Sequence, residues 1–442
     1  MSHIPSLAAI QRLATQLHLR QSIMSRLKNR RFWRDSGLLM AANIIVTALG
    51  IVRTPVMTWV LPKDEIGMMG VVASWLPFLQ LLSMPGMDSA AYHYVAKGQP
   101  SAFLINLYYR LRMSVFSTAA FFCGAVYWAW KGDSPLAWMF FITAISYPVT
   151  IGMTASAGML SAQQKFTGLF WYRIWEMLTD FTGFIPLAFS AWWVSKVVTF
   201  YGANQIATAV FQAGVSFYLA WQLKKHKIPR MLDEDKREML RYGKHLTTIG
   251  GIGVLQARTD ALLVGAFTPL ETMADYSIAL LIYEQLKRLW SIYVTIRYPV
   301  LVRLPEKHRY SKMVAEGFFV LICLAITAAM ISLTAHWLLP VILPSSYANS
   351  LPYMDWLLAS FVIGVPGFMA EVFFRTQQDE KRQYILRMVS ACVGVILPAC
   401  LVYFNGAYGV AIGRFLGSFT LSFVGITLIF RWHKHVSQRD AV

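Results

Sequence analysis

Carboxylates are scarce in this chain. Only 22 Asp and Glu stand against 40 Lys and Arg among 442 residues, and charged residues make up just 14%. A water-soluble domain spends about a quarter of its residues on charge, so that class is excluded. Cysteine is rarer still: Cys123, Cys323, Cys392 and Cys400 each lie inside an apolar run, which reads as small buried hydrophobes without a disulfide framework. No CxxC or Cys/His ligand spacing occurs, and His433 and His435 sit in a basic tail, so no metal is expected. The first 35 residues lack a continuous apolar core, so no secretory signal is expected.

What is abundant is hydrocarbon: 56% of residues are hydrophobic. The apolar runs predict an all-α polytopic membrane protein of about twelve spans, near residues 36–60, 66–90, 113–131, 135–160, 170–195, 198–223, 246–268, 272–298, 314–343, 352–374, 384–404 and 407–430. The net charge of +18 collects in alternate connections: Lys97 with Arg110 and Arg112, Lys165, the run 224–244, Arg303 to Lys312, Lys381 to Arg387, and the tail after Arg431. The opposite side has little beyond Lys63, Lys131 and Lys196. An excess of Lys and Arg marks cytoplasmic loops, so both termini are expected in the cytoplasm. Nucleic-acid binding explains no such interleaving.

Residues 1–35 place Leu7, Ile10, Leu13 and Leu17 at helical spacing among arginines, which reads either as a basic amphipathic arm on an anionic leaflet or as a disordered leader. Two six-helix bundles are expected, 36–223 and 246–431, joined by a cytoplasmic linker over 224–245 and followed by a tail over 432–442. The halves look alike where WVLPKDEIGMMGVVAS (59–74) and GAFTPLETMADYSIAL (265–280) each run through a proline and an acid into a small-residue helix. Six spans return the chain to its starting side, so such repeats would be parallel. Pro85 with Gly86, Pro148 with Gly152, and Pro366 with Gly367 interrupt spans, and Gly409, Gly413 and Gly417 make a close-packing face. Trp128, Trp130, Trp192, Trp193, Trp337 and Trp356 fall near span ends and read mostly as interfacial anchors.

Charges inside spans cost about 2.5–3.5 kcal/mol each on insertion scales, so they need a wet or oppositely charged neighbour. Arg53, Arg258, Lys287, Arg288 and Arg414 lie deep enough to form a cationic ladder suited to phosphate, whose oxygens guanidinium binds bidentately. Arg53 and Arg414 have no acid at helical neighbour spacing, whereas Glu284 and Arg288, four apart, can neutralise each other. Arg258 and Asp260 point about 200° apart on a helix, which assigns Arg258 to cargo and Asp260 to a neighbouring helix. Glu176 and Asp180, four apart, are what proton or sodium coupling would need, unless Arg173 neutralises the first. Glu371 and Arg375 read as a structural ion pair. No cofactor is expected beyond such a coupling ion.

The segments NIIVTALGIVRTPVMTWVLPKDEIGMMGV (43–71) and DALLVGAFTPLETMADYSIAL (260–280) resemble the polysaccharide-biosynthesis transporters, the O-antigen type lipid-linked oligosaccharide flippases of the multidrug/oligosaccharidyl-lipid/polysaccharide exporter superfamily. The likeness spans residues 35 to 431 as architecture. It implies two bundles around a central cavity in the bacterial inner membrane. By alternating access they would move a polyprenyl-diphosphate-linked glycan from cytoplasmic to periplasmic leaflet, with glycosyltransferases and a glycan polymerase as pathway partners. By position it assigns the diphosphate to Arg53, Arg258, Lys287 and Arg288. A cation-coupled drug or metabolite antiporter of the same fold is the first rival, opposed by the deep arginines. A membrane glycan polymerase or ligase would need a long external loop, and the external connections here are short.

Overall fold

A computed structural model describes residues 30–439 except 190–193, 227, 228, 230, 304, 305 and 378. Most of the expected N-terminal arm, together with Trp192 and Trp193, lies outside the described residues. Within them the chain is helical and holds no strand: α1 (Arg30–Val60), α2 (Lys63–Gln80), α3 (Gly86–Ala96), α4 (Ala102–Trp130), α5 (Ser134–Thr150), α6 (Ala155–Ala162), α7 (Phe166–Thr179), α8 (Phe184–Ala188), α9 (Lys196–Lys225), α10 (Asp233–Phe267), α11 (Leu270–Arg303), α12 (Glu306–Ile342), α13 (Ser350–Thr376) and α14 (Glu380–Arg439). Local chemistry sets several starts. Asp133 accepts from the Leu136 amide to cap α5, Ser195 does the same for Val198 in α9, and three acids in the first turn of α10 answer its dipole.

Eight described segments are long and apolar enough to cross a membrane. One of these, Lys381–Lys434, folds back at Asn405 and Gly406, the latter with φ of 54°. Its two arms are antiparallel: a side chain at Gly409 would meet Leu401 O at 2.0 Å, and one at Gly413 the Pro398 nitrogen at 2.6 Å. The three crossings that fall short are α7 with α8, α10 and α11, and these carry most of the buried-span charges. Four helices begin well before their expected spans, α1 at Arg30, α4 at Ala102, α10 at Asp233 and α12 at Glu306, because charged residues in their early turns, such as Arg110 and Arg112 in α4, lower the hydropathy of residues that are nonetheless helical. The expected linker therefore shortens to the residues between Lys225 and Asp233.

We call the end carrying the connections at 61–62, 131–133, 268–269 and 343–344 the distal end, and the other the proximal end. α1 to α9 and α10 to α14 make the two halves, joined along a seam of α2 and α3 against α10 and α11. Distally, Lys63 Nζ lies 2.8 Å from Asp275 Oδ2 and 2.5 Å from Ser346 O, and Trp59 Nε1 donates to Ile342 O at 2.8 Å. The two look-alike segments thus meet each other. The approach demands glycine, since a Cβ on Gly67 would stand 1.9 Å from Leu270 O, and one on Gly86 2.4 Å from the Thr247 nitrogen. Gly67→Leu is expected to force the distal seam apart at an overpacking cost of about 1–3 kcal/mol. The check is cross-linking of Lys63→Cys to Asp275→Cys by a short bifunctional thiol reagent that spans the length of the lost lysine side chain, which should proceed with Gly67 in place and fail with Leu there.

The outer surface is apolar, with Trp130, Phe217, Leu333 and Trp337 exposed, as a lipid-facing belt requires. All four cysteines are exposed and unpaired, a correction to the expected burial: a lipid-facing site is as apolar as a core, so composition does not separate them. Trp356 packs edge-on to Phe415 at 5.4 Å.

Candidate functional site

A cavity of about 1210 Å³ lies between the halves. Helical spacing assembles its wall: Tyr172 and Glu176 share one face of α7 with Asp180 just beyond, and Gln205, Thr208 and Gln212 share one face of α9. α1 adds Asn43 and Thr47, and α5 adds Thr143 and Thr150. The second half contributes chiefly Gln285, Arg288 and Ser291 of α11. These residues come from the middle and proximal stretches of their helices, while the distal ends are clamped by the Lys63 contacts. The cavity therefore opens proximally.

Its polar groups are ordered by one another. The Tyr172 hydroxyl reaches Gln212 Oε1 at 2.8 Å and Glu176 Oε1 at 3.3 Å, and Gln212 Nε2 donates to Glu176 Oε1 at 3.0 Å. Ser146 donates to Gln205 Oε1 at 3.2 Å, Thr179 and Thr208 lie 3.0 Å apart, and Arg173 donates to Asn43.

The five cations read from the sequence do not form one row. Arg288 lines the large cavity and bonds only Gln285, at 3.4 Å, with no acid in reach among the described residues. Arg53 stands 3.7 Å from Asp180. Arg258 and Lys287 share Glu284 at 3.3 and 3.8 Å, so Glu284 does not pair with Arg288. Arg414 pairs with Asp260, which also accepts from Tyr276 at 2.9 Å, and its guanidinium lies 4.4 Å from the Tyr283 ring centre. Lys287 and Arg414 line a separate space of about 250 Å³ inside the second half. Arg173 is turned to Asn43 and leaves Glu176 to Tyr172 and Gln212. Glu371 accepts from Arg387 of α14 at 2.9 Å, a partner outside its own helix.

Two polar clusters went unread in the sequence. Arg110, grouped there with loop charges, is fully buried and pairs with Asp88, which also accepts from Asn106 at 2.9 Å. Arg110 reaches Thr154 at 3.0 Å and Ser83 at 3.5 Å, and so ties the break between α2 and α3 to the break between α5 and α6. Met84 at the first break is left-handed, φ 54°. The available signal was an acid two residues past a Pro-Gly break. The other cluster, Lys63 with Asp275, joins two segments whose similarity was noted but whose contact was not.

Comparison with known proteins places this geometry. The protein family described as polysaccharide biosynthesis protein matches residues 32–305. No curated protein matches the chain. Among solved structures, an inward-facing multidrug resistance MATE family transporter of the MOP superfamily is similar with a TM-score of 0.67 and 12% identity, covering 88% of this chain and 95% of that one. The lipid II flippase MurJ in an inward closed conformation gives 0.68 and 10%, covering 89% and 87%. An outward-facing MATE family transporter gives 0.59 and 12%, covering 91% and 96%. The fold is that of MOP superfamily transporters, and none of these neighbours is an enzyme.

Proposed function

We propose, from the premise that this chain belongs to the polysaccharide biosynthesis protein family, that it is an inner-membrane flippase. Its cargo is a polyprenyl-diphosphate-linked oligosaccharide, carried from cytoplasmic to periplasmic leaflet for a surface polysaccharide such as O-antigen, capsule or exopolysaccharide. The observation that carries this reading is a guanidinium with no acidic partner among the described residues, Arg288, on the wall of a large polar cavity between two membrane-embedded halves. Arg288 is exposed to the cavity, and a cation kept at membrane depth without a carboxylate is favourable where water or an anion reaches it; a diphosphate is the anion whose geometry a guanidinium fits. Basic loops gather at the proximal end, which supports a cytoplasmic position for it. The distal clamp then makes this the state that loads cargo from the cytoplasmic side. Arg53, Arg258, Lys287 and Arg414, each held by a carboxylate here, become available to the diphosphate when those pairs separate during the change of face.

Glu176 and Asp180 on the cavity wall are the groups through which a proton or sodium ion drives the cycle, with Asp180 exchanging its Arg53 partner for the ion. A drug antiporter on this fold is disfavoured by Arg288, which repels an organic cation. The reading is tested in proteoliposomes holding a fluorescent polyprenyl-diphosphate N-acetylglucosamine. The wild-type protein should move it across the bilayer, faster under a proton or sodium gradient; a rate equal to that of empty vesicles sinks the assignment. Asp180→Asn should lose the gradient response, and a variant that keeps it removes Asp180 from coupling.

A further inference from the structure

The wall of the large cavity is chemically lopsided. A diphosphate needs cations, and the two guanidiniums on that wall stand apart, Arg288 on the second-half side and Arg173 turned to the Asn43 amide at the α1 edge. Away from Arg173, the polar groups of the first-half side are amides, hydroxyls and the Glu176 carboxylate, which has no cation within ion-pair distance among the described residues. These groups are too polar for a polyprenyl tail and of the wrong charge for phosphate. Carboxamides set a donor beside an acceptor at fixed spacing, which matches the paired hydroxyl and acetamido groups of a sugar ring. They are also held in place: Gln212 by Tyr172 and Glu176, Gln205 by Ser146. Such preorganised groups spend little further entropy on binding.

Glu176 sets the sign. The Gln212 amide donates to it, and no cation lies within ion-pair distance of it among the described residues. The Asp180 charge, by contrast, is answered by Arg53. A second carboxylate placed against Glu176 would be repelled, whereas a hydroxyl or N–H would be welcomed as a donor.

We infer that the first-half wall reads the sugars next to the diphosphate, with Gln205, Gln212 and Glu176 selecting neutral hydroxylated or acetamido sugars and rejecting carboxylated ones. This rests on the flippase reading and adds the class of sugar to it.

The test compares two probes on the purified full chain in nanodiscs: polyprenyl-diphosphate N-acetylglucosamine and polyprenyl-diphosphate glucuronate. Wild-type protein should bind the first about tenfold more tightly, the scale set by like-charge repulsion in a partly wetted site. Glu176→Gln should close most of that gap by improving the acidic probe, Gln205→Ala should weaken the neutral one, and Arg288→Ala should weaken both alike. Equal wild-type affinity for the two probes overturns the inference without any variant. A gap unchanged in Glu176→Gln overturns it too, while an intact Arg288 effect leaves the flippase standing. Failure of both probes to bind folded protein takes down the flippase reading as well.

Discussion

Arg288→Ala is expected to cut surface glycan about ten- to a hundredfold while the amount of protein in the membrane stays the same. A charge-assisted contact contributes about 1.5–3 kcal/mol, and each 1.4 kcal/mol is about a factor of ten. Because Arg288 has no acidic partner on the described residues, its removal strands no opposite charge, so function and stability should separate. Arg288→Lys keeps the charge but loses the planar fork and should fall between the two. The measurement is surface glycan normalised to membrane protein. Wild-type glycan from a well-expressed Ala variant would withdraw the diphosphate contact. Arg53 and Arg258 are less clean probes, since each deletion also frees a carboxylate, Asp180 or Glu284.

Arg110 should show the opposite signature. It is fully buried, and removing one member of a buried pair costs about 3–5 kcal/mol because the survivor is left uncompensated. Asp88 keeps some access to water, which places the expected loss at the lower end of that range. Arg110→Met should therefore lower the thermal unfolding temperature in detergent sharply, together with membrane abundance. The double variant with Asp88→Asn should recover more than half of the loss, because both charges are then gone. A single variant as stable as wild type, or no recovery in the double, would show that the pair does not hold the two helix breaks together.

The architecture was readable because apolar length is a one-dimensional property: the order of the crossings, the Pro85-Gly86 break and the glycine face of the last span all lie in contiguous sequence. The pairing of charges was not. Spacing of three or four residues reveals only partners on the same helix, and so it offered Glu284 for Arg288 and gave no sign of Arg387 for Glu371. The structure joins Arg53 to Asp180, Arg414 to Asp260 and Arg387 to Glu371 across helices. Arg110 was misplaced for a related reason. A cation that lowers local hydropathy looks like the end of a span, when here it marks an interior salt bridge.

α10 and α11 are not among the described helices apolar enough by composition to cross a membrane alone, and both pack along the α2–α3 surface. Their charges are answered within the protein, Arg258 by Glu284 from one helix to the other and Asp260 by Arg414. The seam is therefore a solvent substitute for the second half: what lipid could not offer these two helices, their own partners and the first half supply.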